Sequence, residues 1–119
     1  MSQFSRNIRP HVDAELLSAV NAEAIGDYNT AFKFLERAHV LGQPSTYQHV
    51  RIHFKMLLLA MRHHKLRESL GQILRIGGAA TKTAVGLIPE GNTGGSNISP
   101  FKPLPIPTDL ASLLQQARK

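Results

Sequence analysis

The sequence predicts an all-α protein that forms a single domain over its 119 residues. Apolar residues recur at three- and four-residue spacing between Val12 and Leu74, which is the period of helices packed on one face. Glycine, proline and aspartate interrupt this pattern at short intervals, as expected for links between helices. After Pro89 the chain becomes rich in glycine and proline, which excludes regular helix or central strand there.

The elements follow from these signals in chain order. Residues 1–11 are predicted to form an extended arm, because they are polar and include Pro10. Residues 12–88 are predicted to form the helical core, with helices at about 12–25, 28–41, 46–64 and 66–76. Their predicted breaks are Gly26-Asp27, Gly42 with Pro44, and Gly77-Gly78. Whether a short helix resumes at 79–85 is left open by the sequence.

The C-terminal part is predicted to be a strap followed by a helix. Residues 89–107 form the strap, and apolar side chains are expected to pin it onto the helices: Phe101, Leu104 and Ile106. Its glycine-rich stretch at 90–97 lacks the Gly-Lys-Ser/Thr ending of a phosphate loop and is predicted to be a structural turn. Residues 108–119 are predicted to form a short C-terminal helix capped by Asp109.

The segment 26–44 (GDYNTAFKFLERAHVLGQP) resembles the helix hairpin of a tetratricopeptide repeat. The resemblance rests on Gly-Asp-Tyr at the turn, on Pro44 after the second helix, and on three positions between them: Ala31, Leu35 and Ala38. Small residues at such positions allow two helices to approach closely. One repeat is visible, whereas a solenoid needs three or more, so the resemblance implies a helical hairpin unit.

Five motifs in a fixed order extend the resemblance over most of the chain. They are ERAHVLGQPST, HVRIH, GAATKTA, PEGNTGG and SPFKPLPIP. In this order they resemble a bacterial family of short proteins of unknown function, over residues 12–114. The family has no established reaction, and its genes can lie near heavy-metal resistance genes. The resemblance therefore implies a metal-related role and no particular activity.

Composition and charge limit the classes of function. The absence of cysteine excludes disulfides, iron–sulfur clusters and zinc ribbons. We expect a cytoplasmic protein with no membrane partner, because the start lacks a secretory signal and the longest apolar run, 56–61, is too short to span a bilayer. Residues 37–75 carry seven Lys or Arg against Glu68 alone, within a net charge of +6. This stretch is expected to be a solvated cationic face, with an acidic partner, anionic lipid or nucleic acid as alternatives. Nucleic-acid binding is not favoured, since no recognition motif accompanies the charge.

The sharpest chemical signal is a group of histidines. His49 and His53 lie four residues apart in one predicted helix, so their side chains share a side. The short link after Gly42 should make the second and third helices antiparallel, which brings His39 level with them. Glu36 lies one turn before His39. The sequence therefore predicts a zinc, copper or iron site with three histidine ligands and Glu36 as a fourth ligand or orienting group.

Other interpretations stay open at this level. Glu15 and Glu23 are further candidates to bind the ion or orient a histidine, and Met56 suits a soft ion such as Cu(I). Half-buried histidines also occur as structural polar groups, so the alternative is a tetratricopeptide-like protein-interaction module without metal. No nucleophile or acid–base motif of a known enzyme class is present, which favours a protein that is not an enzyme. The leading prediction is a small metal-binding protein that acts in sequestration or sensing.

Overall fold

The computed structural model describes residues 2–84, 91–96, 98 and 102–119. These ranges contain α1 (Gln3–Ala24), α2 (Tyr28–Gly42), α3 (Thr46–Arg62), α4 (Leu66–Ala84) and α5 (Thr108–Ala117), and no strand. The all-α prediction is confirmed. Segments 91–96 and 102–107 lack regular structure, as the composition of the strap predicted. Phe101, one of the residues expected to pin the strap, lies outside the described residues.

The helices pack in a sequence that follows the chain. α1 packs on α2, α2 packs on α3, and α3 packs on α4. The α2–α3 contact is the smallest of the three, and α5 returns to contact α1 and α2. Gly26 makes the tight turn after α1 with a φ of +80°, and the Asp27 side chain caps α2 by accepting from the Thr30 N–H. The apolar core lies between these helices and includes completely buried side chains from four of them: Ile8, Leu41, Ile52 and Leu110.

α1 begins at Gln3, so the prediction of an extended arm at 1–11 is wrong. The Ser2 side chain caps the helix by accepting from the Ser5 N–H, and Pro10 lies inside the helix. An interior proline costs about 3 kcal/mol. Ile8 and Val12, on either side of Pro10, are both completely buried. Burying such side chains contributes about 1.5–3 kcal/mol each, which offsets the proline.

One glycine signal differs from the prediction, whereas Gly42 ends α2 as predicted. α4 continues through Gly77-Gly78, which were expected to end or interrupt it, and Ala79 beyond them is completely buried. Gly42 is the last residue of α2, and a Cβ atom there would lie 2.5 Å from Ile52 Cδ1. Its lack of a side chain therefore allows α2 to approach α3 closely.

The uneven charge of the chain is partly neutralised within the fold. Acidic residues of α1 pair with basic residues of the neighbouring helices: Asp13 with Arg51, Glu15 with Arg37, and Glu23 with Arg62. Arg37 also binds Asp109, which was predicted to cap the C-terminal helix. That helix has no side-chain cap, so the role assigned to Asp109 is wrong.

The outer side of α4 is apolar. Four large side chains there are more than half exposed: Leu66, Leu70, Ile73 and Leu74. Three of them, with Leu57 and Met61 of α3, line a shallow groove of about 400 Å³. Among the residues that the structure describes, no helix is long and apolar enough to cross a lipid bilayer.

Candidate metal centre

Three histidines meet in the interior of the protein. His39 comes from the last turn of α2, and His49 and His53 come from α3; each is only 1–2% exposed. The Nε2 atom of His39 lies 3.1 Å from the Nε2 atoms of both other histidines. All three ligand atoms lie within 4.8 Å of one another, which makes them a candidate ligand set for one ion.

Local sequence explains how the three rings converge. The Ser45 side chain caps α3 by accepting from the Gln48 N–H, which fixes where this helix begins. Four-residue spacing then places His49 and His53 on the buried face of α3. Gly42 brings the end of α2 close to this face, so the side chain of His39 reaches the same point.

Hydrogen bonds at the far side of two rings fix their tautomers. His39 Nδ1 donates to the carbonyl oxygen of Asn92 at 2.6 Å, and His53 Nδ1 donates to Gln72 Oε1 at 2.6 Å. The Gln72 amide nitrogen donates to two oxygen atoms, which leaves its oxygen to face His53: Glu68 Oε2 at 2.7 Å and Gly94 O at 3.0 Å. A neutral imidazole protonated at Nδ1 carries a lone pair on Nε2, so in the neutral form of both rings His39 and His53 face each other with two acceptors.

This arrangement leaves an electrostatic conflict that a cation resolves. Burial, reinforced by His53 and His49, holds the pKa of His39 well below its usual 6.5, so its ring is neutral. A proton on a neighbouring ring can bridge only one of the two 3.1 Å contacts that His39 Nε2 makes. A metal ion between the rings accepts the lone pair of each coordinating imidazole.

The space between the rings suits a single ion. The cavity bounded by the three histidines, Gln43, Arg75, Asn92 and Gly94 measures about 10 Å³. This is close to the smallest volume that holds one water molecule, which is about 10–15 Å³. A substrate therefore does not fit beside the histidines in this closed arrangement.

The glycine-rich segment 91–96 closes the site. Gly94 lies directly on the His39 ring, and a Cβ atom there would lie 2.5 Å from His39 Cδ2. The φ of Gly94 is +83°, a value that also favours glycine. Asn92 organises the segment, because its Oδ1 accepts from the Gly94 N–H and its Nδ2 donates to the carbonyl oxygen of Lys102. The sequence predicted a turn here but not its position over the histidines.

The model of one protein family matches residues 6–114, and its description is "Protein of unknown function (DUF3703)". The chain belongs to this family. The prediction of a family of short proteins of unknown function, made from the ordered motifs, is confirmed. No curated protein and no solved structure matches the DUF3703 chain.

The structure of the DUF3703 chain does not include Glu36 in the group of close ligand atoms. The Glu36 carboxylate accepts a hydrogen bond from the Thr93 side chain, and burial raises the pKa of Glu36 above its usual 4.5. Thr93 lies between Asn92 and Gly94, so Glu36 contacts the segment that covers the histidines. Its assignment as a fourth ligand or an orienting group stays a prediction.

The other candidate ligands lie elsewhere. Glu15 binds Arg37, Glu23 binds Arg62 and His63, and Met56 is completely buried in the apolar core. Neither glutamate belongs to the group of close ligand atoms found among the described residues. Sequence analysis missed the polar groups that support the histidines: Glu68, Gln72, Arg75 and Asn92. One of these residues could have been found from the sequence. Gln72 is a polar residue on the inward face of an amphipathic helix, between the buried residues Ser69 and Ala79.

Proposed function

We propose that this DUF3703 protein binds one transition-metal ion through His39, His49 and His53. The observation that carries the proposal is the 3.1 Å contact between the Nε2 atoms of His39 and His53, whose Nδ1 hydrogens are both donated to oxygen atoms. Coordination replaces the repulsion between two buried lone pairs with two bonds to the ion. Imidazole nitrogen is a ligand that suits zinc, copper and iron.

The spacing of the nitrogens supports this role. With metal–nitrogen bonds of about 2.0–2.1 Å, nitrogens 3.1 Å apart subtend roughly 95–102° at the ion. Such angles lie between those of octahedral and tetrahedral coordination. The oxygen acceptors of Gln72 and Asn92 hold two of the rings in orientation, as outer partners do in metal sites. The two contacts of His39 therefore already have the spacing of ligands to one ion.

The small closed cavity favours holding an ion over converting a substrate. We accordingly assign the protein to metal sequestration or sensing rather than to catalysis. A chain without cysteine suits the reducing cytoplasm, where we place it. Glu36 is assigned an orienting role at most, because its observed partner is Thr93 of the covering segment.

Elemental analysis of the untagged protein tests the proposal. We expect about one ion per chain, as purified or after equilibration with zinc, copper and iron salts followed by gel filtration. The His49→Ala/His53→Ala double variant should lose this metal and keep its helical circular dichroism. The matched control is His63→Ala/His64→Ala, because these histidines lie at the end of the same helix, outside the group of close ligand atoms. Absence of metal from the wild type under every loading condition contradicts the proposal.

A second candidate function rests on a different surface. The exposed apolar groove of α3 and α4 supports the alternative of a tetratricopeptide-like interaction module in which the histidines are structural. This alternative predicts a metal-free wild type. It also predicts a protein partner whose binding is lost in a Leu70→Asp/Ile73→Asp variant and kept in the His49→Ala/His53→Ala variant.

A further inference from the structure

We propose that segment 91–96 is a lid latched by Glu68 and Arg75 of α4, and that release of this latch limits metal exchange at the histidines. The latch is defined as the hydrogen bonds that Glu68 accepts from Ser96 and those that Arg75 donates to Gly94, Gly95 and Ile98. The inference rests on the proposed metal site and adds to it a means of control. It assigns functions to two charged side chains that do not themselves coordinate the ion.

Glu68 joins the lid to a histidine. Its carboxylate accepts from the backbone N–H of Ser96 at 3.0 Å and from the Ser96 hydroxyl at 3.0 Å. The same carboxylate accepts from the Gln72 amide at 2.7 Å, and Gln72 in turn accepts from His53. One carboxylate therefore holds the end of the lid and, through Gln72, the orientation of a metal-binding ring.

The Arg75 side chain holds the lid by binding backbone carbonyl oxygens. The half-buried guanidinium donates to the carbonyl oxygens of Gly94, at 3.1 Å, Gly95, and Ile98, at 2.6 Å. Three carbonyl groups of one short segment thus converge on a single cation. Charge-assisted hydrogen bonds of this kind are stronger than neutral ones. Opening the lid breaks all three together, so Arg75 opposes opening.

Two glycines allow the lid to lie this close. A Cβ atom on Gly71 of α4 would clash with Ser96 Cβ, and a Cβ atom on Gly94 would clash with the ring of His39. Gly71 lies one turn after Glu68 on the same helix. The lid therefore contacts α4 where that helix has no side chain. Adding one methyl group at Gly71 is expected to displace Ser96 without removing any polar group.

Closure of the lid has a direct consequence for exchange. With the lid in place, the ligand-bearing rings are 1–2% exposed and the cavity beside them measures about 10 Å³. A hydrated ion or a chelator needs far more space than this to reach the nitrogens. An ion therefore enters or leaves when segment 91–96 lifts away, and the rate of exchange follows the stability of the latch.

Stopped-flow transfer of metal to a chelator tests the latch. The full-length protein is loaded with zinc(II) or, in parallel, with copper(I), and mixed with an excess of a coloured chelator of each ion. We expect Arg75→Met and Gly71→Ala to lose metal at least about tenfold faster than the wild type, as expected when hydrogen bonds to a charged group are removed. Ser96→Ala removes one hydroxyl and should give a smaller increase. The matched control is Arg67→Met, an exposed arginine on the same helix, which should leave the rate unchanged.

The outcomes separate the latch from the metal site. Full metal content with wild-type release rates in Arg75→Met, Gly71→Ala and Ser96→Ala overturns the latch and leaves the metal site standing. A wild type that takes up neither of these ions nor iron rejects both proposals. Thermal unfolding of each variant is measured in parallel, because general destabilisation would speed release in proportion to the loss of stability. A latch speeds release in Ser96→Ala and Gly71→Ala even where the unfolding temperature is kept.

Discussion

The protein has two buried regions that are stabilised in different ways. The apolar region contains side chains such as Ile8, Val12 and Ile52, and the polar region contains His39 and Gln72; all five are at most 1% exposed. Apolar burial is non-directional, so neighbouring side chains tolerate modest changes of shape. Each buried polar group requires a partner at a specific position, because an unpaired one costs about 1–3 kcal/mol. Apolar burial therefore stabilises the fold, whereas the paired polar groups organise the site.

The largest expected effect tests the apolar region alone. Replacing Ile8 with alanine should lower the free energy of unfolding by about 2–5 kcal/mol, because it leaves a cavity in a fully packed core. Urea unfolding followed by circular dichroism measures this change. The variant should keep its metal content, since Ile8 offers no ligand atom to the ion. A loss below about 0.5 kcal/mol would show that the start of α1 does not dock on the core.

The second prediction tests the polar region through the ion. A ligand that binds only the folded state, at a free concentration one hundred times its Kd, stabilises a protein by about 2.7 kcal/mol. We expect this stabilisation with the metal found by elemental analysis, measured as the shift of a urea unfolding curve. Ile8→Ala should show the same shift, although its free energy of unfolding without metal is lower. His53→Ala should show no shift. Equal shifts in the wild type and His53→Ala would place the ion elsewhere.

Sequence analysis succeeded where structure depends on apolar periodicity. It predicted α2 and α3 nearly to the residue, and it predicted the approach of His39 to His49 and His53, because helix spacing and a short antiparallel link determine both. It failed at Pro10 and at Gly77-Gly78, where burial of neighbouring side chains outweighs the local preference to break a helix.

The support for the histidines was not predictable for a different reason. Asn92 lies 53 residues after His39, and no periodic signal connects an irregular segment to a helix at that separation. His39 contacts the backbone carbonyl oxygen of Asn92. Because every residue has such a group, the residue type gives no signal of the contact. Glu36 is a second example of this limit. Its spacing to His39 suggested a ligand, which stays a prediction, and no sequence pattern indicated its hydrogen bond with Thr93 of segment 91–96.

The third prediction compares two buried glutamines. Gln72 accepts from His53, and Gln72→Leu should weaken metal binding by about 10- to 100-fold, as loss of an outer hydrogen-bond partner typically does. Gln48 is equally buried, and its Nε2 atom has no hydrogen-bond partner among the described residues. Gln48→Leu should change the free energy of unfolding by no more than about 1 kcal/mol, since it removes an unpaired donor together with one hydrogen bond accepted from Arg51. Competition titrations with a chelator, run on both variants, measure the affinities.

Equal loss of metal affinity in Gln72→Leu and Gln48→Leu would mean that any change in the polar interior disturbs the site. Loss confined to Gln72→Leu would mean that the orientation of His53 matters to the ion. The two variants carry the same substitution on neighbouring helices, so their difference reports the hydrogen bonds that Gln72 makes with His53, Glu68 and Gly94.

The smallest expected effect lies at Glu36, between the two regions. Burial raises the folded-state pKa of Glu36 above 4.5, so its contribution to stability is full below pH 4.5 and is lost as the pH rises through the folded-state pKa. A glutamine does not ionise, and its amide oxygen can still accept from Thr93. Glu36→Gln should therefore be more stable than the wild type at pH 7, by less than about 1 kcal/mol because the carboxylate keeps part of its hydration.

This difference should vanish in urea unfolding at pH 4, where the wild-type carboxyl group is largely protonated. Metal content and affinity at pH 7 should equal those of the wild type, because the three histidine nitrogens form the group of close ligand atoms without Glu36. A fall in affinity with no gain in stability would instead make Glu36 a ligand and require the lid segment to move when the ion binds. Glu36→Gln therefore decides whether this carboxylate serves the ion directly or only through the segment that covers it.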